Sequence, residues 1–261
     1  MKKLLTIAGS DSGGGAGIQA DLKTFSALGS YGMSVITAVT AQNTVEVKGV
    51  EEISPQIVKK QIDAVFEDIG VDAVKIGMLS GQNIIQGVVK CLEKWQPGIV
   101  VLDPVMVSGS GHRLLNSDAE NVLIEELFPL VKLVTPNLAE TSVIVGKEVN
   151  SLDKMEKAAA EIYSSGSDAV LIKGGHLKKG NKSVDILFDG CEYYRISRSR
   201  LDVDNTHGTG CTYSSAITTY LAQGDELSEA VEKARDYLHE AINQGMDIGK
   251  GNGPVHHFHG I

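Results

Sequence analysis

The sequence predicts a three-layer α/β/α domain, in which helices cover both faces of a central, mostly parallel β-sheet. Two observations predict this fold class: short apolar runs alternate with segments of helical period, and glycine clusters follow several of those runs. The runs are apolar at consecutive positions, as expected of strands buried on both faces of a parallel sheet. The predicted strands are Leu4–Ala8, Val35–Val39, Ala73–Ile76, Ile99–Leu102, Leu133–Thr135 and Ala169–Ile172.

The segments between these strands carry helix signals at their ends. Ser54 and Pro55 suit the N-cap and the first helical position before an apolar stripe, and Gly70 suits the stop. Ser151 suits the N-cap of a second helix, whose apolar residues recur at helical spacing between positions 155 and 162. We therefore expect βαβ units throughout, forming one domain over residues 1–261 without a separate lid domain.

A change of pattern near residue 190 predicts an antiparallel edge to the sheet. Segments 185–188 and 192–196 flank Asp189 and Gly190, a dipeptide that favours a tight hairpin turn. The carboxyl ends of the parallel strands, where the glycine clusters fall, are the expected place for a ligand.

The charge and cysteine content exclude several classes of protein. With 33 acidic against 24 basic residues the net charge is -9, and there is no Lys/Arg block to bind nucleic acid or an anionic membrane. The N-terminal apolar stretch ends at Gly9, too early for a signal peptide or a membrane span. The cysteines are odd in number and widely spaced, which suits a reducing cytoplasm. They are Cys91, Cys191 and Cys211.

The strongest local signal is the segment Asn205–Thr212, a glycine-rich turn that opens a helix with apolar residues at helical spacing. Free amides at a helix start gather around an anion, and glycines allow the backbone to approach it closely. Cys211 lies in the same field, which favours its thiolate. The alternative is a tight turn into a packed helix, with Cys211 buried and inert.

The first glycine loop, Gly9–Gly17, does not have the spacing of a nucleotide-binding motif. Its glycines do not form G-x-G-x-x-G, and the second strand ends in Gln42 and Asn43 where a dinucleotide fold has an acidic residue. The P-loop sequence G-x-x-x-x-G-K-[ST] is also missing from the chain. If the protein uses ATP, it does so on another scaffold.

Over its whole length the chain resembles the hydroxymethylpyrimidine and phosphomethylpyrimidine kinases of thiamine biosynthesis, which have the ribokinase-like fold. No single matching motif identifies this family, but eight motifs in the family's order are specific for it. The motifs are Thr6–Asp21, Thr37–Thr44, Val74–Leu79, Leu102–Met106, Thr135–Glu140, Ile172–His176, Asn205–Thr212 and Gly253–Phe258.

The resemblance implies a kinase that uses ATP and Mg²⁺ to phosphorylate 4-amino-5-hydroxymethyl-2-methylpyrimidine to its monophosphate and then to the diphosphate. It makes Gly208, Thr209 and Gly210 the anion hole for the transferred phosphoryl group and Cys211 a catalytic residue. Sugar kinases of this fold have an aspartate where Cys211 stands, whereas the vitamin-kinase branch shares the cysteine. A base is needed for a hydroxymethyl acceptor but not for a phosphate, so Cys211 is expected to matter more in the first step.

For the pyrimidine, the resemblance assigns Gln42 to the ring edge and Asp21 to holding the substrate. The Gln42 amide offers a donor and an acceptor side by side, which match the amino group and ring nitrogen of an aminopyrimidine. Without the resemblance, Gln42 would be a strand-end residue bonded to backbone, Asp21 a solvated helix residue and Met78 a core filler. The remaining pocket wall is assigned to Gly9, Ala16, Met78 and Val105.

For the nucleotide and metal, the resemblance points to hard oxygen ligands of the kind that Mg²⁺ prefers. Asn137 is equally interpretable as a plain N-cap and Lys173 as a solvated lysine. Ser108–His112 is glycine-rich enough to form a flap, and the histidines of the tail match the family and predict no metal site. The expected metal residues are Asp103 and Glu140, and the expected nucleotide residues are Asp103, Asn137, Lys173 and Thr206.

Two other functions remain open from the sequence. A pyridoxal or pyridoxine kinase would share the Gly-x-Gly-Cys turn, although a pyridine ring offers no aminopyrimidine edge to Gln42. A binding protein built on a decayed kinase would be expected to lack the anion hole or the metal residues. The resemblance also implies a homodimer. Sugar kinases of this fold usually insert lid strands after the first strand, whereas here that strand leads directly into the glycine loop, which leaves a sheet edge bare.

Overall fold

The computed structural model describes residues 1–106, 115–175, 177 and 181–260, and its strands form one nine-stranded sheet. The strands in chain order are β1 (Lys3–Asp11), β2 (Tyr31–Gln42), β3 (Val47–Glu52), β4 (Ala73–Ile76), β5 (Val100–Leu102), β6 (Leu133–Val134), β7 (Val170–Ile172), β8 (Lys182–Phe188) and β9 (Tyr193–Ser199). The helices are α1 (Gly17–Ala27), α2 (Pro55–Asp68), α3 (Gln82–Trp95), α4 (Ser117–Val122), α5 (Leu138–Ile144), α6 (Leu152–Tyr163), α7 (Thr209–Gln223) and α8 (Leu227–Asn243).

The sheet order is β3-β2-β1-β4-β5-β6-β7-β8-β9, with parallel pairing from β2 to β7. β3 is antiparallel at one edge, and β8 and β9 are antiparallel at the other. The predicted mostly parallel α/β/α fold is therefore confirmed. Because β2 and β4 lie on opposite sides of β1, the strand order reverses there, and such a switch point opens a crevice at the carboxyl ends of the strands.

Helices cover both faces of the sheet because the strands are apolar on both faces. On β1, Leu4 packs against Phe25 of α1 and Ala222 of α7, while the next residue, Leu5, joins Val58 of α2 on the opposite face. The face with α1, α7 and α8 and the face with α2 to α6 thus hold separate hydrophobic cores. α7 starts at the carboxyl edge of the sheet, which brings its glycine turn over the crevice.

Each predicted strand is present, and the hairpin at Asp189 is confirmed. The Asp189 carboxylate accepts hydrogen bonds from the amides of Cys191 and Glu192, at 2.9 and 2.7 Å, which fixes the turn. The sequence did not predict β3, the exposed strand at the other edge. Its residues carry no apolar alternation and include Gly49, so the strand is held by its pairing to β2 and not by its own pattern.

The predicted helix ends lie where expected, but only one of the two serine N-caps uses its side chain. The Ser151 hydroxyl accepts from the Lys154 amide at 3.4 Å, whereas Ser54 occupies the N-cap of α2 without a side-chain hydrogen bond. Gly70 has φ 76°, the left-handed conformation of a helix stop. The flap expected at Ser108–His112 lies outside the described residues. Among the described residues, we found no helix with the length and apolar character needed to cross a bilayer.

Candidate active site

The carboxyl ends of the parallel strands bring together most of the residues singled out in the sequence. Gln42 ends β2, Met78 follows β4, Asp103 follows β5 and Lys173 follows β7. The start of α7 lies over this row of strand ends, since a side chain at Gly210 would meet both Asp103 and Lys173. The result is one crevice with a glycine-rich helix start on one side.

The turn into α7 requires glycine for two reasons. Gly208 is the N-cap with φ 85°, and a Cβ there would overlap the carbonyl oxygen of Gly15 in the first glycine loop. A Cβ at Gly210 would lie 3.1 Å from Asp103 Oδ2 and 3.5 Å from Lys173 Nζ. The amides of the first helical turn have no intrahelical acceptors. The Thr209 amide donates to the Thr206 carbonyl at 3.4 Å, and the close approach of Gly210 to Asp103 and Lys173 places this helix start beside a carboxylate and an ammonium group.

Asp103 and Lys173 form a close ion pair at the floor of this space. Lys173 Nζ donates to Asp103 Oδ1 at 2.6 Å, with the side chains only 14% and 4% exposed, so the solvated-lysine alternative is wrong. Burial disfavours the ammonium form of Lys173, but Asp103 and Glu140 outweigh burial and raise its pKa. Lys173 is thus a fixed cation beside the anion hole.

Glu140 and Asn137 are linked by a capping box at the start of α5. Asn137 Oδ1 accepts from the amides of Ala139 and Glu140, and Glu140 Oε2 accepts from the Asn137 amide at 2.8 Å. The plain N-cap interpretation of Asn137 is therefore confirmed for its side chain. Burial raises the pKa of Glu140 to about 7, against the opposing effect of Lys173. The Glu140 carboxylate interacts electrostatically with the ion pair, since it helps to raise the pKa of Lys173.

The donor set fits a magnesium ion carried by nucleotide phosphates better than a free metal. Among the described residues, there is no group of three or more His, Cys, Asp or Glu side chains that could hold a metal alone. Mg²⁺ usually keeps several waters and binds through one or two carboxylates together with phosphates. Asp103 Oδ2 faces Gly210, so one carboxylate oxygen is directed toward the place where phosphates would lie.

Cys211 behaves differently from the sequence expectation of a favoured thiolate. Burial is the dominant effect and raises the pKa of the Cys211 thiol to about 11, although Lys75 and the Gly17 amide act in the opposite direction. The helix-start field alone was the basis of the prediction, and burial together with the nearby Asp21 and Asp103 carboxylates exceeds it. At neutral pH the sulfur is therefore protonated in this structure.

Gln42, Gly9 and Met78 are the residues expected at the pyrimidine end. The Ser12 hydroxyl bonds both the amide and the carbonyl of Gln42 at 2.8 Å, while the Gln42 side chain accepts from the Thr40 hydroxyl at 3.2 Å. Its amide keeps donors and a lone pair for a ligand. A Cβ at Gly9 would lie 2.5 Å from the Met78 methyl, so these two residues share one wall. Half-buried Ala16 and Val105 lie on the neighbouring segments.

Asp21 is completely buried, so its expected alternative as a solvated helix residue is wrong. Its two oxygens accept from Lys75 Nζ, both at 2.9 Å, from the Thr6 hydroxyl at 2.6 Å and from the Ser215 hydroxyl at 2.7 Å. A carboxylate has about four acceptor positions, and all are used within the protein. The geometry thus supports Asp21 as a support beneath the pocket and not as a direct substrate contact.

Lys75 is the functional candidate that sequence reasoning missed. It is fully buried in β4, and its charge interacts with Asp21, Cys211 and Asp103. Burial disfavours its ammonium form, but Asp21, Cys211 and Asp103 together outweigh burial and raise the pKa. The available signal was a lysine inside an otherwise apolar strand, since lysine is almost never fully buried unless paired.

The first glycine loop is folded around a carboxylate of the protein itself. Asp11 accepts from the amides of Gly13 at 2.8 Å, Gly15 at 3.1 Å and Ala16 at 2.8 Å, and it pairs with His207 Nε2 at 2.9 Å. The amides of Gly13, Gly15 and Ala16 therefore have their acceptor within the protein. The His207 contact also ties the loop to the turn that begins at Gly208.

Replacing Asp11 with alanine is expected to lower the free energy of unfolding by about 2 kcal/mol near neutral pH, because loop amides lose their acceptor. Burial opposes ionisation of Asp11, but hydrogen bonds from His207, Ala16 and Gly13 lower its pKa below 3.8. The stabilisation by the Asp11 carboxylate is thus complete above its pKa in the unfolded chain. It is lost as the pH falls through its lower pKa in the folded protein. Urea unfolding of both proteins between pH 7 and pH 3 measures this.

The exposed Asp247 provides the control, and Asp247→Ala should leave the free energy of unfolding nearly unchanged. A difference between the Asp11 variant and the parent that stays constant down to the lowest pH would contradict the assignment to the ionised carboxylate.

Thr206 and the C-terminal tail both lie next to the turn into α7. Thr206 is exposed just before the anion-hole turn, where its amide donates to the Asp204 carbonyl at 2.9 Å. In the tail, His257 is buried and lies 3.2 Å from the Thr212 hydroxyl, and burial lowers its pKa to about 4. The tail backbone also pairs with His207, so it supports the helix start from behind.

The fold and the site together define a kinase: a mostly parallel α/β sheet with a glycine-rich helix start facing a lysine and an aspartate at the strand ends. The family model described as phosphomethylpyrimidine kinase matches residues 11–256. The chain belongs to the phosphomethylpyrimidine kinase family.

Individual relatives agree with this assignment. The hydroxymethylpyrimidine/phosphomethylpyrimidine kinase of Rhizobium meliloti is 54% identical over 98% of this chain and 96% of its own length. The thiamine biosynthesis bifunctional protein ThiED of Geobacter sulfurreducens is 51% identical over 98% of this chain, which spans only 52% of that longer protein.

Solved structures give the same fold. The phosphomethylpyrimidine kinase of Clostridium difficile 630 is 50% identical with a TM-score of 0.83, covering 93% of this chain and 100% of that one. The pyridoxal kinase of Staphylococcus aureus in complex with AMP-PCP is 37% identical with a TM-score of 0.92, covering 100% and 94%. Backbone similarity therefore extends to vitamin kinases with another acceptor, and the acceptor must be decided by side chains.

Proposed function

We propose that the protein is an ATP- and Mg²⁺-dependent kinase that converts 4-amino-5-hydroxymethyl-2-methylpyrimidine to its monophosphate and then to the diphosphate, in the cytoplasm. The observation that carries the proposal is the position of Gly210, where an added Cβ would lie 3.1 Å from Asp103 Oδ2 and 3.5 Å from Lys173 Nζ. An anion hole, a cation and a magnesium-binding carboxylate then surround one phosphoryl position.

In the first step, the hydroxymethyl oxygen forms a bond to the γ-phosphorus of ATP while the bond to the bridging oxygen breaks and ADP leaves. The amides of Thr209, Gly210 and Cys211 stabilise the charge on the transferred group, and Lys173 neutralises the phosphates. Asp103 would hold Mg²⁺ through the oxygen that faces Gly210, with Glu140 as the second candidate carboxylate. Magnesium supplies screening of the phosphate charge when bound.

In the second step, the acceptor is the phosphate of the monophosphate product. This acceptor is largely dianionic near neutral pH and needs no base. The same anion hole and the same cation serve both transfers, and only the first requires a residue that takes up a proton. Cys211 is the candidate for that role in its thiolate form, which is the minor form at neutral pH because burial raises the pKa of the thiol to about 11.

Gln42 is proposed as the residue that recognises the pyrimidine edge. Replacing it with leucine should raise the KM for hydroxymethylpyrimidine about 50-fold, because the amino group and ring nitrogen lose their partners at a cost of about 1–3 kcal/mol. The KM for ATP should not change, since the nucleotide cluster lies at the ends of other strands. Steady-state kinetics with each substrate varied in turn measures both values.

Gln56→Leu, at an exposed glutamine on α2, is the matched control and should leave both KM values unchanged. If the Gln42 variant raised the KM for ATP as much as that for the pyrimidine, a role in pyrimidine recognition would be ruled out.

The experiment that tests the proposed function is product analysis after incubation with ATP, Mg²⁺ and one acceptor at a time: hydroxymethylpyrimidine, its monophosphate or pyridoxal. Formation of the diphosphate from both pyrimidine acceptors supports the proposal. Efficient turnover of pyridoxal alone would assign the chain to the alternative acceptor. Binding of the pyrimidine without any consumption of ATP would instead indicate a sensor.

We also infer that the single domain over residues 1–261 forms a homodimer through its β3 edge. β3 is exposed along its whole length: Val47 and Val50 are 53% and 54% exposed, and Val39 on the paired part of β2 is 45% exposed. The outer side of an edge strand has unpaired backbone groups. Together with exposed apolar side chains, these groups favour pairing with a second copy of the chain. Light scattering should give twice the chain mass of 27.8 kDa, and Val50→Lys should give the monomer. A monomeric parent protein would refute this inference.

A further inference from the structure

The histidine before the turn into α7 makes a long-range contact to which the proposed function gives no role. His207 Nε2 lies 2.9 Å from Asp11 Oδ2, 196 positions earlier in the chain, and the two side chains are 26% and 4% exposed. Asp11 is ionised near neutral pH, and a carboxylate can only accept hydrogen bonds, so His207 carries a proton on Nε2 and donates it. A charge-assisted hydrogen bond therefore joins two distant segments.

On one side of this contact, Asp11 organises the loop beside the acceptor end of the site. Its Oδ2 also accepts from the amides of Gly15 and Ala16, at 3.1 and 2.8 Å, and Ala16 belongs to the expected pocket wall. The next residue in the chain, Ser12, bonds both the amide and the carbonyl of Gln42 at 2.8 Å. The loop that Asp11 folds is thus connected to the residues expected to bind the acceptor.

On the other side, His207 immediately precedes Gly208, the N-cap of α7. The His207 amide donates to the Gly253 carbonyl at 3.1 Å, and the Val255 amide donates to the His207 carbonyl at 3.3 Å, so the tail holds the backbone of His207 in place. From this fixed backbone the side chain reaches the first glycine loop. The contact therefore holds the start of α7 against that loop.

The two segments also pack closely against each other. A Cβ on Gly208 would overlap the Gly15 carbonyl oxygen, and a Cβ on Gly15 would overlap the His207 ring. Deeper in the fold, the Ser215 hydroxyl of α7 bonds a carboxylate of α1 at 2.7 Å, so the two helices are joined along their length. The His207–Asp11 hydrogen bond secures the end of this interface that lies at the carboxyl ends of the strands.

We propose that the His207–Asp11 hydrogen bond is a positioning contact, which sets the distance between the acceptor beside the first glycine loop and the phosphoryl group at the start of α7. A displacement of about 1 Å between reacting groups can cost about 100-fold in rate. His207 acts through the turn that follows it, so it is a positioning residue and not a catalytic one. This inference rests on the proposed function. It predicts a similar loss of kcat in both phosphoryl transfers, because both use the same two segments.

The test removes the hydrogen bond and then restores it. His207→Ala should reduce kcat about tenfold with hydroxymethylpyrimidine and with its monophosphate, while the KM for ATP and for each acceptor changes by less than about twofold. His207→Gln is the conservative variant, because its amide offers an N–H donor of similar reach, and it should recover at least about half of the parent kcat. Steady-state kinetics with each substrate varied in turn, together with thermal unfolding, measures these values.

Trp95→Phe is the matched control, because it removes another hydrogen bond from a ring N–H to an aspartate, the 2.8 Å bond between Trp95 on α3 and Asp63 on α2. It should leave kcat unchanged even where it lowers the thermal unfolding temperature. A folded His207→Ala protein with more than half of the parent kcat overturns the proposal, as does a His207→Gln protein no faster than His207→Ala. A raised KM for the acceptor at unchanged kcat also overturns it. A parent protein that binds ATP but does not phosphorylate the pyrimidine would refute the proposed function instead.

Gly15→Ala keeps the test decisive if His207→Ala does not fold. The φ of Gly15 is not left-handed, so the backbone accepts alanine, but the added methyl group would push the His207 ring away from Asp11. We expect kcat to fall about tenfold in both transfers. Gly98→Ala is the matched control, because Gly98 is a loop glycine with no atom within 4 Å of an added Cβ. Equal kcat values for the two glycine variants would overturn the proposal.

Discussion

Replacing Gly210 with alanine is expected to reduce kcat for both phosphoryl transfers by about 10²–10³-fold while the protein remains folded. The added methyl group would lie 3.1 Å from Asp103 Oδ2 and 3.5 Å from Lys173 Nζ, in the space that the transferred phosphoryl group would occupy. Gly210 lies within α7 and its φ is not left-handed, so alanine causes no backbone strain. The effect is therefore on the site and not on the helix.

Steady-state kinetics with each acceptor, together with thermal unfolding, measures this prediction. Gly87→Ala is the matched control, because Gly87 is a helical glycine on α3 with no atom within 4 Å of an added Cβ. It should leave kcat unchanged and stabilise the protein by up to about 1 kcal/mol. A Gly210 variant with more than half of the parent kcat would contradict an anion hole at this turn.

Asp103→Asn is expected to reduce kcat by about 10³-fold and to raise the Mg²⁺ concentration needed for activity. The substitution keeps the side-chain size but removes the charge that pairs with Lys173 at 2.6 Å and the oxygen that faces Gly210. Glu140 remains as a carboxylate that interacts electrostatically with Lys173. Since Asp103 contributes to the raised pKa of Glu140, that pKa should fall from about 7 and the stability loss should be limited.

Activity titrated with Mg²⁺ at fixed ATP measures the effect. Asp63→Asn is the matched control, because it breaks an ion pair with Lys94 at 2.8 Å on α2 and α3, far from the strand ends. Its Mg²⁺ dependence should match that of the parent protein. An Asp103 variant that needs no more Mg²⁺ than the parent would refute the assignment of Asp103 to the metal.

The elements that the sequence predicted are those whose own residues determine them. Ala73–Ile76 is a strand because four consecutive apolar or buried positions require cover on both faces, and the hairpin at Asp189 and Gly190 is fixed by its turn chemistry. The start of α7 was also predictable, because the glycines before it are a local signal. Each of these elements is determined by a few neighbouring residues.

The parts that escaped prediction depend on contacts between distant segments. β3 forms because β2 offers it a partner, and Asp21 is buried because Lys75, 54 positions away, meets it across the sheet. The protonation of Cys211 follows from burial between segments that the sequence does not place together. The helix start therefore predicted where Cys211 lies but did not predict the pKa of its thiol.

Side chains, and not the backbone shared with pyridoxal kinases, are expected to make this chain a pyrimidine kinase. The most direct test is a competition in one vessel, with ATP, Mg²⁺ and equal concentrations of hydroxymethylpyrimidine and pyridoxal, followed by mass spectrometry over time. We expect the pyrimidine to be consumed first, with its monophosphate rising and then falling as the diphosphate forms. Pyridoxal consumed first, or a monophosphate that accumulates without diphosphate, would contradict this expectation.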